Sequence, residues 1–338
     1  MSGARVSIRD VATLAGVSAA TVSRVLNGRE SVAPEHRATV FTAVKKLGYR
    51  PNRLARNLRR QGADMIGVVV TDIENPHFAE MVRAAEDEAY RRGYRVLLCN
   101  TDESPEKQAA YLEVLAGERV RGVILAPSDP ASREIGQLLD LGIPVVAFDR
   151  SVGDPRADAV LGANVGAARI ATEHLLELGR RQIGFIGGPD ATETGHERRA
   201  GYETTMRTHG LEPRVADGEF RIKPAAIATA TLLDGGPLDG LVIANNLMAI
   251  GALEMLRARG LQVPADIAIV AFDDPFWADV VQPALTTLAQ PIRLMVESAI
   301  QLLFERIDGD RTKPRRIVFD FELRVRDSSR TGFQAQGG

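Results

Sequence analysis

The sequence predicts an all-α headpiece followed by an α/β body of two doubly wound parallel-sheet lobes. Near the amino terminus, residues 7–27 carry apolar side chains at helical spacing on either side of a glycine, which is typical of two short helices joined by a tight turn. From Met65 onward, short and wholly apolar runs alternate with amphipathic helical stretches. Such runs are typical of parallel sheets that helices cover on both faces. Because two series of this kind occur in about 260 residues, we expect two lobes.

Two short helices open the headpiece. Ser7 is followed three residues later by Asp10, which is a capping-box spacing, and Gly16 ends the apolar stripe that follows. Ser18 is placed to cap the second helix. The outward face of that helix presents Ala19, Ala20, Thr21, Ser23, Arg24 and Asn27. Hydroxyls, an amide and a guanidinium on a short helix are suited to phosphates and base edges in a major groove. A solvated face on a small helical bundle is the alternative.

A third helix is predicted from Pro34, a favoured first-turn residue, to Gly48, a favoured helix stop. The next segment, residues 49–60 (YRPNRLARNLRR), has repeated arginines and good helix formers but no apolar face wide enough to bury. Because an isolated helix of this length is marginal in water, we predict a hinge over about residues 51–60 that becomes helical on DNA. A charged flexible linker is the alternative. Residues 331–338 are predicted to be a flexible tail.

The charge of the chain is unevenly distributed. Residues 1–60 contain twelve Lys or Arg and three Asp or Glu, a balance of +9 that leaves −11 for the rest of a chain whose formal net charge is -2. A cationic segment neutralises phosphates and releases counterions, whereas an acidic body is repelled by DNA. The asymmetry therefore predicts a nucleic-acid-binding module fused to an acidic globular body.

The body is predicted to place polar side chains at the carboxyl ends of its strands. The predicted strands are residues 65–72, 94–100, 122–128 and 143–149 in the first series, and 183–188, 240–245 and 267–274 in the second. Helices are predicted near 78–92, 104–116, 131–141, 165–178, 197–209, 224–234 and 246–259. The polar strand ends are Asp72–Asn75, Asp149–Arg150, Asn245–Asn246 and Asp273–Asp274. Ligands of such sheets bind at this edge, so the sequence predicts a small-molecule site there.

The motifs of the main enzyme classes are absent from the sequence. No G-x-G-x-x-G follows the first predicted strand, and neither a phosphate-binding G-x-x-x-x-G-K-[ST] nor a nucleophile elbow occurs. The five histidines have no metal-ligand spacing, and Cys99 has no partner for an intrachain disulfide. We therefore expect no catalysis, no cofactor and no metal. A dehydrogenase and a free-standing sugar receptor are the rival classes. The chain has no run of about 20 apolar residues and no apolar signal core, so we expect a cytoplasmic protein without a membrane partner.

Four segments of the sequence resemble the lactose-repressor (LacI) family of bacterial transcription regulators, and the resemblance covers nearly the full length. They are IRDVATLAGVSAATVSRVLNG, GYRPNRLARNLR, ATEHLLELGRRQIGFIGG and IAIVAFDDPFWADVVQPALTTLAQP. The resemblance implies a helix-turn-helix headpiece with its hinge helix in residues 1–60, and an effector-binding and dimerisation body in 61–330. The implied amino-terminal lobe spans about 63–161 and 291–321, and the carboxyl-terminal lobe about 162–290 and 322–330.

The resemblance also implies roles on DNA. Ala19, Ala20 and Arg24 match positions that read bases, and Leu58 matches the hinge leucine that opens a central base step. Thr21, Ser23, Asn27, Tyr49 and Asn52 match backbone-contacting or positioning sites. Since two alanines make no hydrogen bonds to bases, we expect Arg24 to carry most of the discrimination. We expect a homodimer on double-stranded palindromic operator DNA, rather than a tetramer, because the chain carries no carboxyl-terminal leucine heptad.

The body further resembles ribose-type sugar-binding proteins in its cleft. The implied effector-binding residues are Asn75, His77, Phe78, Asp149, Arg150, Arg198, Phe220, Asn245, Asp273 and Gln290. Carboxylates, guanidinium and amide groups suit sugar hydroxyls, and aromatic faces suit the C–H surfaces of a sugar ring. His77 departs from the pattern, because ribose binders have an aromatic ring at this position. We expect an allosterically controlled repressor with a ribose-like monosaccharide as inducer. A purine or nucleoside acting as corepressor is the alternative.

Overall fold

The computed structural model describes residues 6–26, 32–49 and 64–330, which form two compact units divided between residues 63 and 64. The expected hinge at 51–60 and the tail at 331–338 lie outside the described residues. So do three residues with an expected role on DNA, namely Asn27, Asn52 and Leu58.

The first unit is a small bundle of three helices: α1 (Ile8–Ala15), α2 (Ala19–Leu26) and α3 (Pro34–Leu47). The predicted capping box is confirmed, because the Ser7 hydroxyl accepts from the Asp10 backbone N–H and the Asp10 carboxylate accepts from the Ser7 N–H. Gly16 and Gly48 end α1 and α3 in left-handed backbone conformations, at φ 67° and φ 60°. The core between the helices is built from Val11, Val22, Val25, Val40 and Ala43.

The second unit contains two lobes, and the first is a three-layer sandwich around a wholly parallel sheet. The strands are β1 (Met65–Val70), β2 (Arg95–Asn100), β3 (Val123–Leu125), β4 (Val145–Asp149), β5 (Asp158–Gly162) and β11 (Arg316–Phe319), in the spatial order 11-5-4-3-1-2. The helices are α4 (Pro76–Arg91), α5 (Pro105–Gly117), α6 (Arg133–Asp140) and α11 (Ile292–Ile307). One core cluster joins α4 and α11 to the sheet, and another joins α5 and α6 to it. Burial on both faces explains the wholly apolar strands.

The second lobe repeats this plan with one antiparallel edge. Its strands are β6 (Ile183–Gly187), β7 (Arg214–Asp217), β8 (Gly240–Ile243), β9 (Ala268–Phe272), β10 (Thr286–Ala289) and β12 (Glu322–Arg324), in the order 12-10-9-8-6-7. Its helices are α7 (Asn164–Glu177), α8 (Glu193–Thr208), α9 (Ile222–Asp234) and α10 (Asn246–Ala258), followed late in the chain by a 3₁₀ turn at Asp327–Ser329. Only the pairing of β10 with β12 is antiparallel among the described strands of this sheet.

The chain passes between the two lobes after β5, after β10 and after β11, and these passages pack against one another. Gly162 ends β5 directly beneath Phe321, since a Cβ built on Gly162 would lie 2.4 Å from the phenylalanine ring. Gln290 Oε1 is 3.6 Å from the same position. A residue without a side chain is therefore needed where the passages meet.

The seven predicted strands are confirmed, as are the helices predicted within the described residues, with differences at the ends of the elements and at the sheet margins. The sequence did not predict β7 or α11, and it indicated β5, β10, β11 and β12 only as strands that cross between the lobes near Gly162, Gln290 and Phe321. Most of these strands are four residues or fewer, and β7, β11 and β12 carry charged side chains at the margins of the sheets. The helix expected near 197–209 begins earlier, at Glu193, because the Thr192 hydroxyl caps it by accepting from the Gly195 N–H at 3.1 Å. Cys99 is buried as expected.

Replacing Asp158 tests how strongly the first lobe depends on a buried ion pair. Asp158 is 1% exposed and accepts from Arg306 Nε at 2.7 Å, Arg306 Nη2 at 2.9 Å and the Arg315 N–H at 2.7 Å. We expect Asp158→Ala to lower the free energy of unfolding by about 3–5 kcal/mol, because Arg306 loses its partner in a buried site. Urea denaturation followed by circular dichroism measures this.

The matched control is Asp140→Ala, which removes the exposed carboxylate that pairs with Arg156 at 2.7 Å. An exposed pair contributes about 0–1 kcal/mol, so the control is expected to stay close to the unchanged protein. Equal losses in the two variants would contradict a special role for the buried pair.

Candidate functional site

A cleft lies between the two lobes, at the carboxyl ends of their parallel strands, and its empty space is about 490 Å³ with the adjoining open solvent included. The structure brings together in its lining all ten side chains expected at a small-molecule site. The lining also contains Thr71, Asp72, Glu103, Thr194, Glu219 and Arg221. Of these six residues the sequence predicted only Asp72, as part of a polar strand end, and it missed the other five. A signal for Glu103 is its place three residues after β2, at the same sheet edge as the predicted side chains.

Two aspartates occupy equivalent places at the bottom of the cleft. Asp149 is the last residue of β4 and Asp273 follows β9, and both are at least nine-tenths buried. Both adopt left-handed backbone conformations, at φ 66° and φ 67°. Such conformations cost free energy in residues with a side chain and concentrate at ligand sites. The strained turns aim one carboxylate from each lobe into the cleft.

Asp273 organises the amides around it. Its Oδ1 accepts from Gln290 Nε2 at 2.9 Å, and its Oδ2 accepts from Asn246 Nδ2 at 3.0 Å. The same Asn246 Nδ2 donates across the cleft to Asn75 Oδ1 at 2.8 Å. Asn75 in turn caps α4, because its Oδ1 also accepts from the His77 N–H at 2.9 Å. A single chain of hydrogen bonds thus runs from one lobe to the other.

Two further contacts bridge the lobes beside the cleft. Arg150 Nε donates to the Thr194 hydroxyl at 3.3 Å, and the Ser151 hydroxyl donates to Glu193 Oε2 at 2.7 Å. The Ser151 backbone N–H donates to the same carboxylate oxygen. Thr194 and Glu193 begin α8 in the second lobe, whereas Arg150 and Ser151 follow β4 in the first. The lobes are therefore held in direct contact by side chains of the protein itself.

Both buried arginines of the cleft are engaged by the protein. Arg150 makes a bidentate pair with Glu103, with both nitrogen–oxygen distances at 2.7 Å. Burial lowers the pKa of Arg150, but the carboxylates of Glu103, Asp149 and Glu193 together raise it more, and the pKa lies above its ordinary value. Arg198 donates from Nε to Asn164 Oδ1 at 2.8 Å and from Nη1 to the Ala244 carbonyl at 2.6 Å. Complete burial lowers the pKa of Arg198.

Aromatic rings cover two sides of the cleft. Phe78 is buried beneath His77, with ring centroids 5.0 Å apart in an edge-to-face arrangement. Phe220 packs on Gly188 and has a left-handed backbone at φ 56°. The Arg150 guanidinium lies 5.7 Å from the centre of the Phe220 ring. These rings offer apolar faces next to the carboxylates and guanidinium groups.

Several buried polar atoms of the site have no hydrogen-bond partner within the described part of the chain. They are Thr71 Oγ1, His77 Nε2, Asn246 Oδ1 and Gln290 Oε1. His77 lies between the two aspartates, with Nε2 3.9 Å from Asp149 Oδ1 and Nδ1 3.8 Å from Asp273 Oδ1. Leaving a buried polar atom unpaired costs about 1–3 kcal/mol. Such a cluster in a cleft offers hydrogen bonds that a polar ligand or ordered water can complete.

Trp277 and His174 lie outside the cleft lining. Trp277 packs against the core of the second lobe and lines a separate surface groove. His174 is half-buried in α7 and bonds through Nε2 to the Ser329 hydroxyl at 2.8 Å. The 3₁₀ turn at Asp327–Ser329 thus covers this side of the helix.

The first unit presents α2 as its candidate DNA-facing element. Ala20 and Arg24 are exposed, whereas Ala19, Thr21 and Ser23 are partly buried. The Ser18 hydroxyl caps the helix by accepting from the Thr21 N–H at 3.0 Å. Tyr49 directly follows α3 and packs against the headpiece core.

Residues 6–26, 32–49 and 64–330 contain neither a membrane-spanning helix nor a metal-binding cluster. No described helix is long and apolar enough to cross a membrane. No group of three or more His, Cys, Asp or Glu side chains could hold a metal ion in this part of the chain.

Comparison with known proteins identifies the family. Residues 7–52 match the family of bacterial regulatory proteins named lacI, and residues 172–329 match the periplasmic binding protein-like domain. The chain is 38% identical over 327 residues to the ribose operon repressor of Halalkalibacterium halodurans, covering 96% of this chain and 98% of that protein. The chain belongs to the LacI family. It is therefore a DNA-binding transcriptional regulator, and the function class and the fold class predicted from the sequence are confirmed.

Solved structures of this family have the same architecture. The lac repressor dimer bound to operator and the anti-inducer ONPF has a TM-score of 0.85 at 26% identity, covering 96% of this chain and 99% of that one. A LacI family transcriptional regulator from Enterococcus faecium with bound ribose has a TM-score of 0.73 at 28% identity, covering 78% of this chain and 98% of that one.

Replacing Gly188 tests the support of the Phe220 ring. A Cβ at Gly188 would lie 2.1 Å from the ring, so Gly188→Ala is expected to displace Phe220 and to cost about 1–3 kcal/mol through overpacking. The control is Gly166→Ala in α7, where a Cβ meets nothing within 4 Å. Thermal unfolding and a crystal structure of each variant provide the measurement. An undisturbed Phe220 in the Gly188 variant would contradict this account.

Proposed function

We propose that this regulator is a homodimeric repressor that binds palindromic operator DNA and is induced by a ribose-like monosaccharide in the cleft between its lobes. The observation that carries the proposal is the convergence of two buried carboxylates, two guanidinium groups and three unpaired polar atoms, those of Thr71, His77 and Gln290, on one cleft. The proposal takes the regulator to bind its ligand without catalysis, and operator binding implies action in the bacterial cytoplasm.

The chemistry of the cleft suits a sugar. Asp149 and Asp273 can accept hydrogen bonds from hydroxyls, as can the unpaired oxygen of Gln290. The faces of Phe78 and Phe220 suit the C–H surfaces of a pyranose or furanose ring. The names of the ribose operon repressor and of the ribose-bound relative support the same ligand class. We infer that Asn75, His77, Arg150, Arg198 and Asn245 complete the binding set.

The proposed mechanism is linkage between ligand binding and lobe orientation. The protein alone already bridges its lobes through Asn75–Asn246, Arg150–Thr194 and Ser151–Glu193. A ligand that contacts both lobes replaces part of this network, and it shifts the orientation only by its difference in affinity for the two arrangements. We propose that the ligand-bound arrangement separates the two hinges of the dimer and lowers operator affinity. Leu58 of each hinge is proposed to open the central base step.

On DNA, we propose that α2 enters the major groove. Ala19, Ala20 and Arg24 are proposed to face bases, and Thr21, Ser23, Asn27, Tyr49 and Asn52 to contact or position the backbone. Two copies of so small a reading surface fit the two halves of a palindrome, and the dimeric, operator-bound lac repressor supports this assembly.

The deciding experiment is a thermal-shift screen of the full chain against pentoses, hexoses, purine bases and nucleosides. A ligand that binds the folded protein raises its melting temperature by mass action, and we expect the largest shift with D-ribose or a closely related sugar. A shift with a purine alone would overturn the sugar proposal. Operators selected from a random duplex library then report the sign of the response, because an inducer weakens binding and a corepressor strengthens it.

Removing the charge of Asp273 is expected to weaken sugar binding strongly. Hydrogen bonds to a charged group contribute about 1.5–3 kcal/mol, so Asp273→Asn is expected to lower affinity about 10–100-fold in isothermal titration calorimetry. The control is Asp140→Asn, since that carboxylate is exposed and lies outside the cleft lining. An unchanged affinity in the Asp273 variant, with the melting temperature preserved, would contradict its role.

Removing Arg24 is expected to relax specificity at one base pair of each half-site. A bidentate contact to a guanine contributes about 1–3 kcal/mol of discrimination, which Arg24→Ala would lose at that position alone. Arg9→Ala, which removes an exposed charge on α1, serves as the control. It is expected to change the affinity for all operator variants by the same factor. Binding to a panel of single-base operator variants makes the comparison, and an even loss in the Arg24 variant would argue against base reading.

A further inference from the structure

The lining of the cleft has more carboxylates than cations. Its carboxylates belong to Asp72, Glu103, Asp149, Glu219 and Asp273, and its cations to Arg150, Arg198 and Arg221. The proposed sugar site therefore carries an excess of negative charge among the described residues. The carboxylates can accept hydrogen bonds from the hydroxyls of a neutral polyol, but they repel an anion.

Neither buried guanidinium offers its fork to an anion. Both terminal nitrogens of Arg150 are held by Glu103 in the bidentate geometry that a phosphate would otherwise use. Arg198 commits Nε to Asn164 and Nη1 to the Ala244 carbonyl. A phosphate group that bound Arg150 bidentately would have to break its pair with Glu103 and leave a carboxylate unsatisfied, and at Arg198 it would find only Nη2 without a protein partner among the described residues.

The mouth of the cleft is acidic as well. Asp72 and Glu219 line it, and Asp102, which is itself paired with Lys107, lies close enough for its charge to act on Asp72. Arg221 is exposed there, and its charge acts on both Asp72 and Asp102. The charge of Arg221 is thus partly neutralised by the neighbouring carboxylates, and solvent screens the charge that remains.

From this charge arrangement we infer that the cleft selects an uncharged sugar and rejects the phosphate ester of the same sugar. The inference rests on the proposed function and narrows its ligand class. A phosphate monoester carries about −1.5 to −2 charges at pH 7, and the site provides no cation pair to receive them. The regulator therefore responds to the free sugar, which is the substrate of a phosphoryl-transfer reaction, and not to the product of that reaction.

Isothermal titration calorimetry of the full chain with D-ribose and with D-ribose 5-phosphate tests the inference. We expect the phosphate ester to bind at least about 100-fold more weakly, because like charges placed together in a partly buried site are strongly unfavourable. Equal or tighter binding of the phosphate ester would overturn the inference and leave sugar sensing intact.

A charge-neutralising variant tests the cause of the selectivity. Asp72→Asn combined with Glu219→Gln is expected to narrow the affinity ratio between the two ligands about tenfold, since two repelling charges are removed from the mouth. The matched control, Glu212→Gln with Asp308→Asn, removes two exposed carboxylates outside the lining and is expected to keep the ratio. A ratio is insensitive to partial unfolding, which affects both ligands equally. An unchanged ratio in the cleft variant would overturn the electrostatic cause.

Failure of the sugar proposal gives a different result. If D-ribose and the other free sugars do not bind but adenosine does, the sugar proposal is overturned. The same titration with adenosine 5′-monophosphate then judges the charge selectivity. Tighter binding of the nucleotide than of the nucleoside would overturn it, and at least about 100-fold weaker binding would uphold it.

Discussion

The architecture of the regulatory body depends on buried polar groups that the protein satisfies only by joining its two lobes. Asn246 donates to Asp273 within its own lobe and to Asn75 across the cleft, so one amide belongs to both halves of the molecule. Its oxygen remains unpaired, as do atoms of His77 and Gln290. Hydrogen bonds between the lobes thus leave some buried polar atoms unpaired. A ligand that pairs these atoms contributes free energy to the arrangement in which the lobes are together.

The passages between the lobes connect the hydrogen bonds of the cleft to the relative orientation of the lobes. Gly162, Gln290 and Phe321 meet where the chain crosses, within a few ångströms of the cleft. Gln290 belongs to both places, because its amide donates to Asp273 and its oxygen lies near Gly162. A ligand that reorients Gln290 therefore acts directly on the crossing, without a long pathway through the core.

Much of the fold could be predicted from local patterns. The capping box at Ser7 and Asp10 predicted the first helix, and the wholly apolar runs predicted the parallel strands. Both could be predicted because each signal depends on residues that are close in the sequence. The cleft was predictable because carboxyl ends of parallel strands meet at one edge. The pairing of Arg150 with Glu103 was not, since 47 residues separate them and many acidic side chains compete for such a partner. The contact between His174 and Ser329 spans 155 residues and escaped prediction for the same reason.

The strained turns at Asp149 and Asp273 have a further consequence, because each lobe supplies one carboxylate from the same topological position. Neither lobe alone surrounds a ligand, so the apparent affinity is the intrinsic affinity multiplied by the fraction of molecules with their lobes together. The ligand concentration at which operator binding changes then depends both on the contacts to the ligand and on the equilibrium between open and closed lobes. Substitutions at the crossings can therefore change, in evolution, the ligand concentration that the regulator responds to, without changing any side chain that contacts the ligand.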